Sequence, residues 1–298
     1  MPIQISSIGR GGSEVPVNEL QNLDDIDVPN ETGASRWRHP FKDGTFIDTL
    51  LINQESDVLV VSFHGALNRK TYEISRFERV ATLAQTPYSS LFISDPALWL
   101  DETLQLAWYT GWGSGPKLDS ILAPFINEVA KQLGVKTIIL SGSSGGGFAS
   151  LQVSSLIPGS YALAFNPQTH VHGYHDSGKP TDNGAVRKYI EVLYPEAAPN
   201  GIWKIDFSVD WTEELDDRFS PIRRYKTAQD NFIVYCNNLN DWHVEQHYQP
   251  FEEAFTQSAG KEALRTINYN GKQGHHPPNA SEFMEGLNST VHWARENQ

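Results

Sequence analysis

Ser144 lies in the stretch Gly142-Ser143-Ser144-Gly145-Gly146, which has the spacing G-x-S-x-G. The apolar run TIIL precedes it and FASLQVSSLI follows it, so the local pattern predicts a strand, a sharp turn and a helix. Such a turn holds the central serine in a strained backbone conformation, for which small neighbours make room. The Ser144 hydroxyl would then project at the positive end of a helix, where an anionic intermediate is stabilised. The stretch therefore predicts a nucleophilic serine.

Three other interpretations of this glycine-serine stretch are less consistent with the sequence. A flexible linker is disfavoured because the flanks are apolar. A Walker-type phosphate loop needs Lys followed by Ser or Thr after the glycines, where Phe148-Ala149 stands instead. A dinucleotide-binding turn needs G-x-G-x-x-G, which these glycines do not supply.

A serine hydroxyl becomes an effective nucleophile when a histidine takes its proton, and a carboxylate orients that histidine. Asp241 follows the apolar run NFIVYC, and His275 and His276 follow the run LRTINY. If both runs are parallel strands, these residues lie at the carboxyl edge of the sheet, where catalytic groups of α/β proteins gather. The chain order is then Ser144, acid, histidine, with His275 and His276 both candidates for the base.

Other acidic residues compete with Asp241 for the role of the carboxylate. Asp216 and Asp217 precede the strand NFIVYC instead of following it. Asp95 follows the strand SLFIS, and we expect its side chain to bond to loop backbone. Asp241 is the preferred candidate because it follows the strand NFIVYC and so lies at the carboxyl edge of the predicted sheet.

Short β-branched runs alternate with helical patterns along the chain, which is typical of an α/β protein with a mostly parallel central sheet flanked by helices on both faces. Several runs are apolar without alternation, as expected for strands covered on both sides. The predicted strands are 46–53, 58–63, 90–94, 137–140, 161–165, 231–236 and 264–269.

Amphipathic patterns predict four helices, over 116–134, after Thr71, from Pro250 and over about 281–294. The first 45 residues show no convincing periodicity. Residues 170–220 are rich in Gly, Pro, Asp and Tyr, which predicts a small inserted cap or lid. With no long hinge sequence in the chain, residues 1–298 are expected to form a single domain.

From about residue 46 to its end, the sequence resembles the α/β-hydrolase superfamily. The matching segments are GSSGG around Ser144, FHG after VLVVS, SPI at 220–222, Asp241 in D-x-x-V form and Gly274-His275. The segment GSSGGGF, with NPQ after the next strand, is also similar to bacterial hydrolases encoded with surface-glycan genes. The resemblance implies a serine esterase fold with a nucleophile elbow.

The resemblance also implies roles for individual residues. The base is His275, because family members place it directly after glycine. The oxyanion hole consists of the backbone N–H groups of Gly145 and Ala66, although HGALN departs from the glycine-rich loop of one lipase and esterase group. The family requires neither a metal nor an organic cofactor.

Side chains near these positions are candidates for a substrate pocket. Aromatic residues in a glycine-bearing loop either stack on a substrate ring or anchor the loop to the core. The candidates are His64, Trp108, Tyr109, Trp112, Trp242 and His276. The cluster of His170, His172 and His175 could hold zinc, but no acidic or cysteine ligand with matching spacing accompanies it, so we expect histidines of the lid.

The net charge of −13 argues against nucleic acid or an anionic membrane as a partner. The single cysteine, Cys236, excludes an intrachain disulfide, and no signal-peptide pattern is present, so a cytoplasmic location is expected. The predicted function is cleavage of a carboxylic ester, with a small acyl ester or an acylated glycan as substrate. An acyltransferase using the same triad and a non-catalytic binding module remain alternatives, and the sequence leaves the oligomeric state open.

Overall fold

The computed structural model describes residues 2–113, 115–179, 181, 183–227, 229–258 and 261–297. Within these residues, nine strands form one open sheet in the order β1-β2-β3-β5-β4-β6-β7-β8-β9. The strands are β1 (Val17–Glu19), β2 (Gly33–Pro40), β3 (Phe46–Asn53), β4 (Val58–Phe63), β5 (Ser89–Ser94), β6 (Thr137–Ser143), β7 (Tyr161–Phe165), β8 (Phe232–Asn238) and β9 (Leu264–Tyr269).

Strands β4 to β9 run parallel to one another, and β3 is antiparallel to both of its neighbours, β2 and β5. Because parallel neighbours end at the same edge of a sheet, the loops after β4, β6, β7, β8 and β9 are brought together. The mostly parallel α/β sheet predicted from the sequence is confirmed.

Seven α-helices are described, and short 3-10 turns connect several of them. They are α1 (Val80–Leu83), α2 (Leu118–Leu133), α3 (Gly145–Ser154), α4 (Gly184–Leu193), α5 (Pro221–Arg224), α6 (Gln249–Ser258) and α7 (Ala280–Glu296). Among the described helices, none is both long enough and apolar enough to cross a membrane.

Alternate residues of the central strands pack into different hydrophobic cores on the two faces of the sheet. In β4, Leu59, Val61 and Phe63 join the core that contains the apolar faces of α2 and α4, whereas Val58 and Val60 join the core of α1 and α7. All five side chains are buried. Coverage on both faces explains why these strands are apolar without alternation.

Two parts of the fold differ from the prediction. The first 45 residues contain β1 and β2, and β2 pairs with β3 along its whole length, from Gly33 opposite Asn53 to Pro40 opposite Phe46. The helix predicted after Thr71 is limited to α1. The preceding segment bonds to other elements instead, since Ser75 Oγ donates to Asp48 Oδ2 and Arg76 N donates to Ser94 Oγ.

The segment 170–220 connects β7 to β8 and contains α4 together with several short 3-10 turns. The predicted helices at 116–134, from 250 and at 281–294 are confirmed as α2, α6 and α7.

The crossing of β6, α3 and the loop after β4 depends on glycine. A β-carbon added at Gly146 would collide with Phe63 O and lie 3.0 Å from the His64 carbonyl carbon. These are backbone atoms, so a rotamer change cannot relieve the collision. We expect Gly146→Ala to lower the free energy of unfolding by about 2–3 kcal/mol, measured by urea denaturation.

Gly11→Ala is the matched control, because an added β-carbon there meets no atom within 4 Å. Its free energy of unfolding should stay within about 0.5 kcal/mol of the parent protein. Equal stabilities of the two variants would contradict the packing explanation.

Candidate active site

Ser144 occupies the turn between β6 and α3 in a conformation that few non-glycine residues adopt, with φ 56° and ψ −121°. The turn is tight, because a β-carbon at Gly142 would collide with the backbone of Gly146. Ser144 N donates to Phe165 O at 3.0 Å, which ties the turn to β7. The strained turn between small residues expected from G-x-S-x-G is therefore present in the structure.

The loops after β8 and β9 bring Asp241 and His275 to Ser144. Ser144 Oγ lies 2.8 Å from His275 Nε2, and His275 Nδ1 lies 2.7 Å from Asp241 Oδ2. The Asp241 side chain has no exposed surface, while that of His275 is 17% exposed. The three side chains selected from the sequence thus form one hydrogen-bonded chain at the carboxyl edge of the sheet.

The Asp241 carboxylate is surrounded by donors. Asn166 Nδ2 donates to Oδ2 at 2.7 Å, and the His243 backbone N–H donates to Oδ1 at 3.0 Å. Burial opposes ionisation of this group, but the interactions with His243 and His275 outweigh burial and hold the Asp241 pKa well below its ordinary value of 3.8. Asp241 is therefore a stable anion that accepts a hydrogen bond from the Nδ1–H group of His275.

His243 is a second imidazole in contact with Asp241, with Nδ1 3.2 Å from Oδ1. Its ring meets that of His275 edge-on, at a centroid distance of 3.7 Å. Burial lowers the His243 pKa to about 4, against the opposing effect of Asp241. His243 is therefore neutral at neutral pH and adds no positive charge beside His275.

Asn166 and Gln168 belong to the site although the sequence did not single them out as site residues. Asn166 accepts from Asn238 N at 2.7 Å while its amide donates to Asp241. Gln168 Nε2 donates to Ser144 Oγ at 2.8 Å. The available signal was their position, because both follow β7 directly and so lie at the same edge of the sheet as Ser144 and Asp241.

Two backbone elements surround the space in front of Ser144. Gly145 is the first residue of α3, whose first N–H groups have no partner within the helix. The loop after β4 approaches so closely that a β-carbon on Gly65 would lie 3.0 Å from Ser143 O and 3.9 Å from Gly145 N. The next residue, Ala66, is exposed and lines a cleft.

His64 is buried under the loop that contains Gly65 and forms hydrogen bonds that fix this loop. His64 Nδ1 bonds to Gly65 O at 2.8 Å, and Asp95 N donates to His64 Nε2 at 3.0 Å. His64 N donates to Tyr109 Oη at 3.1 Å. The structure thus buries His64 beneath the loop and does not place it in the cleft suggested for it from the sequence.

A cleft next to Gly145 has a volume of about 430 Å³, and Ser144 is not among the residues that line it. Leu106 lies against Gly145 and forms part of the wall, and Tyr174 forms another part. Its remaining lining residues are Ala66, Thr103, Leu104, Gln105, Asp176, Gly184, Ala185 and Lys188. The wall of the cleft therefore contains both polar and apolar side chains.

Three of the aromatic residues suggested for the substrate pocket pack in the hydrophobic core next to the site. Trp108, Tyr109 and Trp112 are buried and do not line this cleft. Trp108 Nε1 donates to Gln168 Oε1 at 3.1 Å, and Tyr109 Oη donates to Ile93 O at 2.9 Å. Of the two alternatives considered for these rings, anchoring the loop is the one that the contacts match.

Trp242 and His276 occupy different positions around His275. The Trp242 ring lies 6.1 Å from that of His275 and packs against Gly178 and Gly274. His276 is partly exposed, and Ser144 Oγ contacts His275 instead.

The alternative acids have other partners. Asp216 pairs with Lys117 at 2.6 Å, and Asp217 pairs with Arg224 at 2.6 Å. Asp95 accepts from Ala97 N and Tyr109 N, as expected for a residue that organises loop backbone. Burial raises the Asp95 pKa to about 6, but its contacts are with the support of the loop and not with His275.

In the histidine cluster at 170–175, His170 and His175 form side-chain hydrogen bonds, whereas His172 only lies near an acidic residue. His170 Nε2 contacts Asp210 Oδ2 at 2.8 Å, and His172 Nδ1 is 3.9 Å from Asp210 Oδ1. His175 Nδ1 contacts Asn183 Oδ1 at 2.8 Å. Asp210 is thus an acidic neighbour that the sequence spacing did not reveal.

Asp241, His243 and His275 each place one potential metal-ligand atom within 4.8 Å of the others. The Nδ1 atoms of both imidazoles face the two oxygens of the carboxylate, at 3.2 and 2.7 Å. Hydrogen bonds from His275 Nδ1 and from the His243 backbone N–H to the carboxylate explain this proximity, so we assign no metal to the cluster.

Burial of His64 makes the stability of the protein depend on pH. It lowers the His64 pKa to about 4 from its ordinary value of 6.5, so the unfolded chain binds a proton at a pH where the folded protein does not. The free energy of unfolding therefore decreases as the pH falls from 6.5 towards 4, because protonation of His64 stabilises the unfolded chain. Above pH 6.5 this loss is absent. At about pH 5 the loss is ~2 kcal/mol.

We expect His64→Gln to reduce, by about 2 kcal/mol, the difference in free energy of unfolding between about pH 7.5 and about pH 5. Urea denaturation at both pH values measures this difference. An unchanged difference would show that His64 is not the group responsible.

No family model matches this sequence, and a search of curated proteins found no match. Solved structures do match. A capsule O-acetyltransferase of Neisseria meningitidis serogroup A is 14% identical over 83% of this chain and 91% of its own, with a TM-score of 0.56. An esterase of Pyrococcus furiosus is 15% identical over 91% and 99% of the two chains, with a TM-score of 0.52.

A carboxyl esterase of the fungus Tuber melanosporum is 15% identical over 93% of this chain and 88% of its own, with a TM-score of 0.51. At these identities the similarity concerns the fold. Together with the sheet order and the turn between β6 and α3, it shows that the chain has the α/β-hydrolase fold.

Proposed function

We propose that the protein is a serine hydrolase that cleaves a carboxylic ester through a covalent acyl-serine intermediate. One observation carries this proposal: Ser144 Oγ, His275 and Asp241 form a continuous hydrogen-bonded chain with distances of 2.8 and 2.7 Å. Those distances are suited to proton transfer from a nucleophile to a base that a carboxylate orients.

In the first half of the proposed reaction, His275 Nε2 takes the proton of Ser144 while Oγ attacks the acyl carbon. The negative charge moves to the former carbonyl oxygen, which the N–H groups of Gly145 and Ala66 stabilise. The carbonyl then re-forms as the bond between the acyl carbon and the alcohol oxygen breaks, and His275 gives its proton to that departing oxygen. The acyl group remains on Ser144.

In the second half, water enters and His275 takes one of its protons as the oxygen attacks the acyl carbon. When the intermediate collapses, the electrons of the carbon–Oγ bond return to Ser144, which recovers its proton from His275. The carboxylic acid leaves. This mechanism uses no metal ion or organic cofactor.

The cleft suggests the class of substrate. Its wall combines Leu104 and Leu106 with Thr103, Gln105 and Lys188, which suits a compact acyl group joined to a polar alcohol. We therefore propose a small acyl ester or an acylated glycan as substrate. Five of the lining residues, from Tyr174 to Lys188, belong to the segment 170–220, which we propose as the lid.

An acyltransferase is the second candidate, because the same triad can pass its acyl group to an alcohol instead of water. A solved structure of similar fold is a capsule O-acetyltransferase, so this fold accommodates that reaction. A non-catalytic binding module on the same scaffold is a third candidate, because a fold does not fix a function.

A fluorophosphonate tests the nucleophile. We expect the reagent to phosphonylate Ser144 with loss of fluoride, detected by mass spectrometry of the modified peptide. Ser144→Ala should abolish labelling and lower kcat for ester cleavage by about 10⁶-fold. Asp241→Asn should lower kcat by about 10⁴-fold, because the His275 ring would lose the partner that fixes its tautomer.

Ser141→Ala is the control for these variants. Ser141 lies on β6 with a buried hydroxyl that has no hydrogen-bond partner in the described part of the chain. Its labelling and kcat should match the parent protein. Labelling that persists in Ser144→Ala would refute the assignment, and absence of both labelling and turnover in the parent protein would favour the binding module.

Competition between water and an added alcohol separates hydrolase from acyltransferase. For a hydrolase, we expect the free acid to remain the main product when glycerol or a sugar is added to an activated acyl ester. Chromatography of the products measures the partition. Transfer of most acyl groups to the added hydroxyl at millimolar concentration would instead identify an acyltransferase.

A further inference from the structure

Gln168 contacts the proposed nucleophile directly. It follows β7 after Asn166-Pro167, its side chain is completely buried, and its Nε2 donates to Ser144 Oγ at 2.8 Å. This hydrogen bond is additional to the one between Ser144 Oγ and His275, and it is distinct from the backbone N–H groups proposed to bind the oxyanion. Its acceptor is the atom that attacks the substrate.

A neighbouring tryptophan fixes the orientation of the Gln168 amide. Trp108 Nε1 lies 3.1 Å from Gln168 Oε1. An indole nitrogen can only donate, so the atom facing it must be the carbonyl oxygen. The NH₂ group therefore points the other way, towards Ser144 Oγ and towards His243 Nε2 at 3.2 Å.

The same reasoning fixes the tautomer of His243. Since Gln168 Nε2 is a donor, His243 Nε2 must accept, and the proton of the neutral ring lies on Nδ1, which faces Asp241 Oδ1 at 3.2 Å. Both N–H groups of the Gln168 amide therefore donate hydrogen bonds, one to Ser144 Oγ and one to His243 Nε2. Contacts between side chains then form a closed ring through Ser144, His275, Asp241, His243 and Gln168.

The ring leaves Ser144 Oγ ready to react. Its own proton points to His275 Nε2 and one lone pair accepts from Gln168, which leaves the other lone pair without a donor among the described residues. A donor at this place stabilises negative charge on Oγ more strongly than it stabilises the neutral hydroxyl.

We propose that Gln168 is a catalytic residue that stabilises charge on Ser144 Oγ, in distinction from the oxyanion hole, which stabilises charge on the carbonyl oxygen. This proposal rests on the serine-hydrolase function proposed above. During acylation the Oγ–H bond breaks, the proton moves to His275 and the Oγ–carbon bond forms. During deacylation the Oγ–carbon bond breaks and Oγ takes the proton back. Gln168 keeps both of its protons throughout and donates to Oγ in each step.

Gln168→Met tests the proposal, because methionine has a similar length and no N–H donor. We expect kcat and the second-order rate constant of fluorophosphonate labelling to fall by about 10- to 100-fold, the effect of one hydrogen bond to a charged group. KM should change by less than about threefold, because the bond is to the enzyme's own nucleophile and not to the bound substrate.

Gln152→Met is the matched control. Gln152 is also buried, and its Nε2 donates to Asp217 O at 2.8 Å, away from Ser144. Rates are normalised to the folded fraction measured by circular dichroism. Labelling of Gln152→Met at the parental rate supports a specific role for Gln168, whereas equal losses in both variants would overturn it.

Gln168→Glu keeps the shape of the side chain and makes the donor depend on pH. The ionised carboxylate cannot donate to Oγ, whereas the protonated carboxyl can. The ratio of variant to parental labelling rates should therefore rise as the pH falls. This measurement also decides the question if Gln168→Met does not fold.

The outcomes separate this proposal from the function on which it rests. A pH-independent ratio for Gln168→Glu, or parental labelling rates for Gln168→Met, would overturn the role of Gln168 and leave the nucleophile intact. Faster labelling of Gln168→Met would identify an inhibitory contact and would also overturn it. Labelling of Ser144→Ala would instead remove the proposed function itself.

Discussion

The arrangement of the site depends on one buried anion, the carboxylate of Asp241. A buried charge is stable only when donors surround it, and here the Asn166 amide, the His275 imidazole and the His243 backbone N–H supply them. These donors come from the loops after β7, β8 and β9. The hydrogen-bonding requirement of one carboxylate therefore fixes the relative positions of three loops and orients the His275 ring towards Ser144.

Strain and close packing hold the other end of the hydrogen-bonded chain. The left-handed φ of Ser144 persists because β6 and α3 cross at Gly142 and Gly146, where a β-carbon would collide with backbone. The same crossing brings Gly65 against Gly145, and the buried ring of His64 supports that loop. The geometry around Ser144 thus depends on close backbone contacts that only glycine permits.

Most of the central sheet was predictable because its strands are continuous apolar runs, a local signal. Strands β1 and β2 were not, since β2 contains Arg36 and Arg38, whose charges mask the pattern. Both arginines pair with the buried carboxylate of Asp48 on β3. The helix expected after Thr71 was shortened for a related reason, because side-chain bonds to β3 and β5 replace helical bonds there. In each case a long-range contact outweighed local propensity.

The sequence by itself determined the α/β class, the turn at Ser144 and the chain order of Ser144, Asp241 and His275, because each follows from residue type and short-range spacing. Only the tertiary structure decided which histidine meets Ser144, that His64 and the tryptophans lie beneath the site, and that Gln168 and His243 complete it. The physical reason is that hydrogen bonds between loops depend on distances of about 3 Å across strands far apart in the chain, and no local pattern encodes such distances.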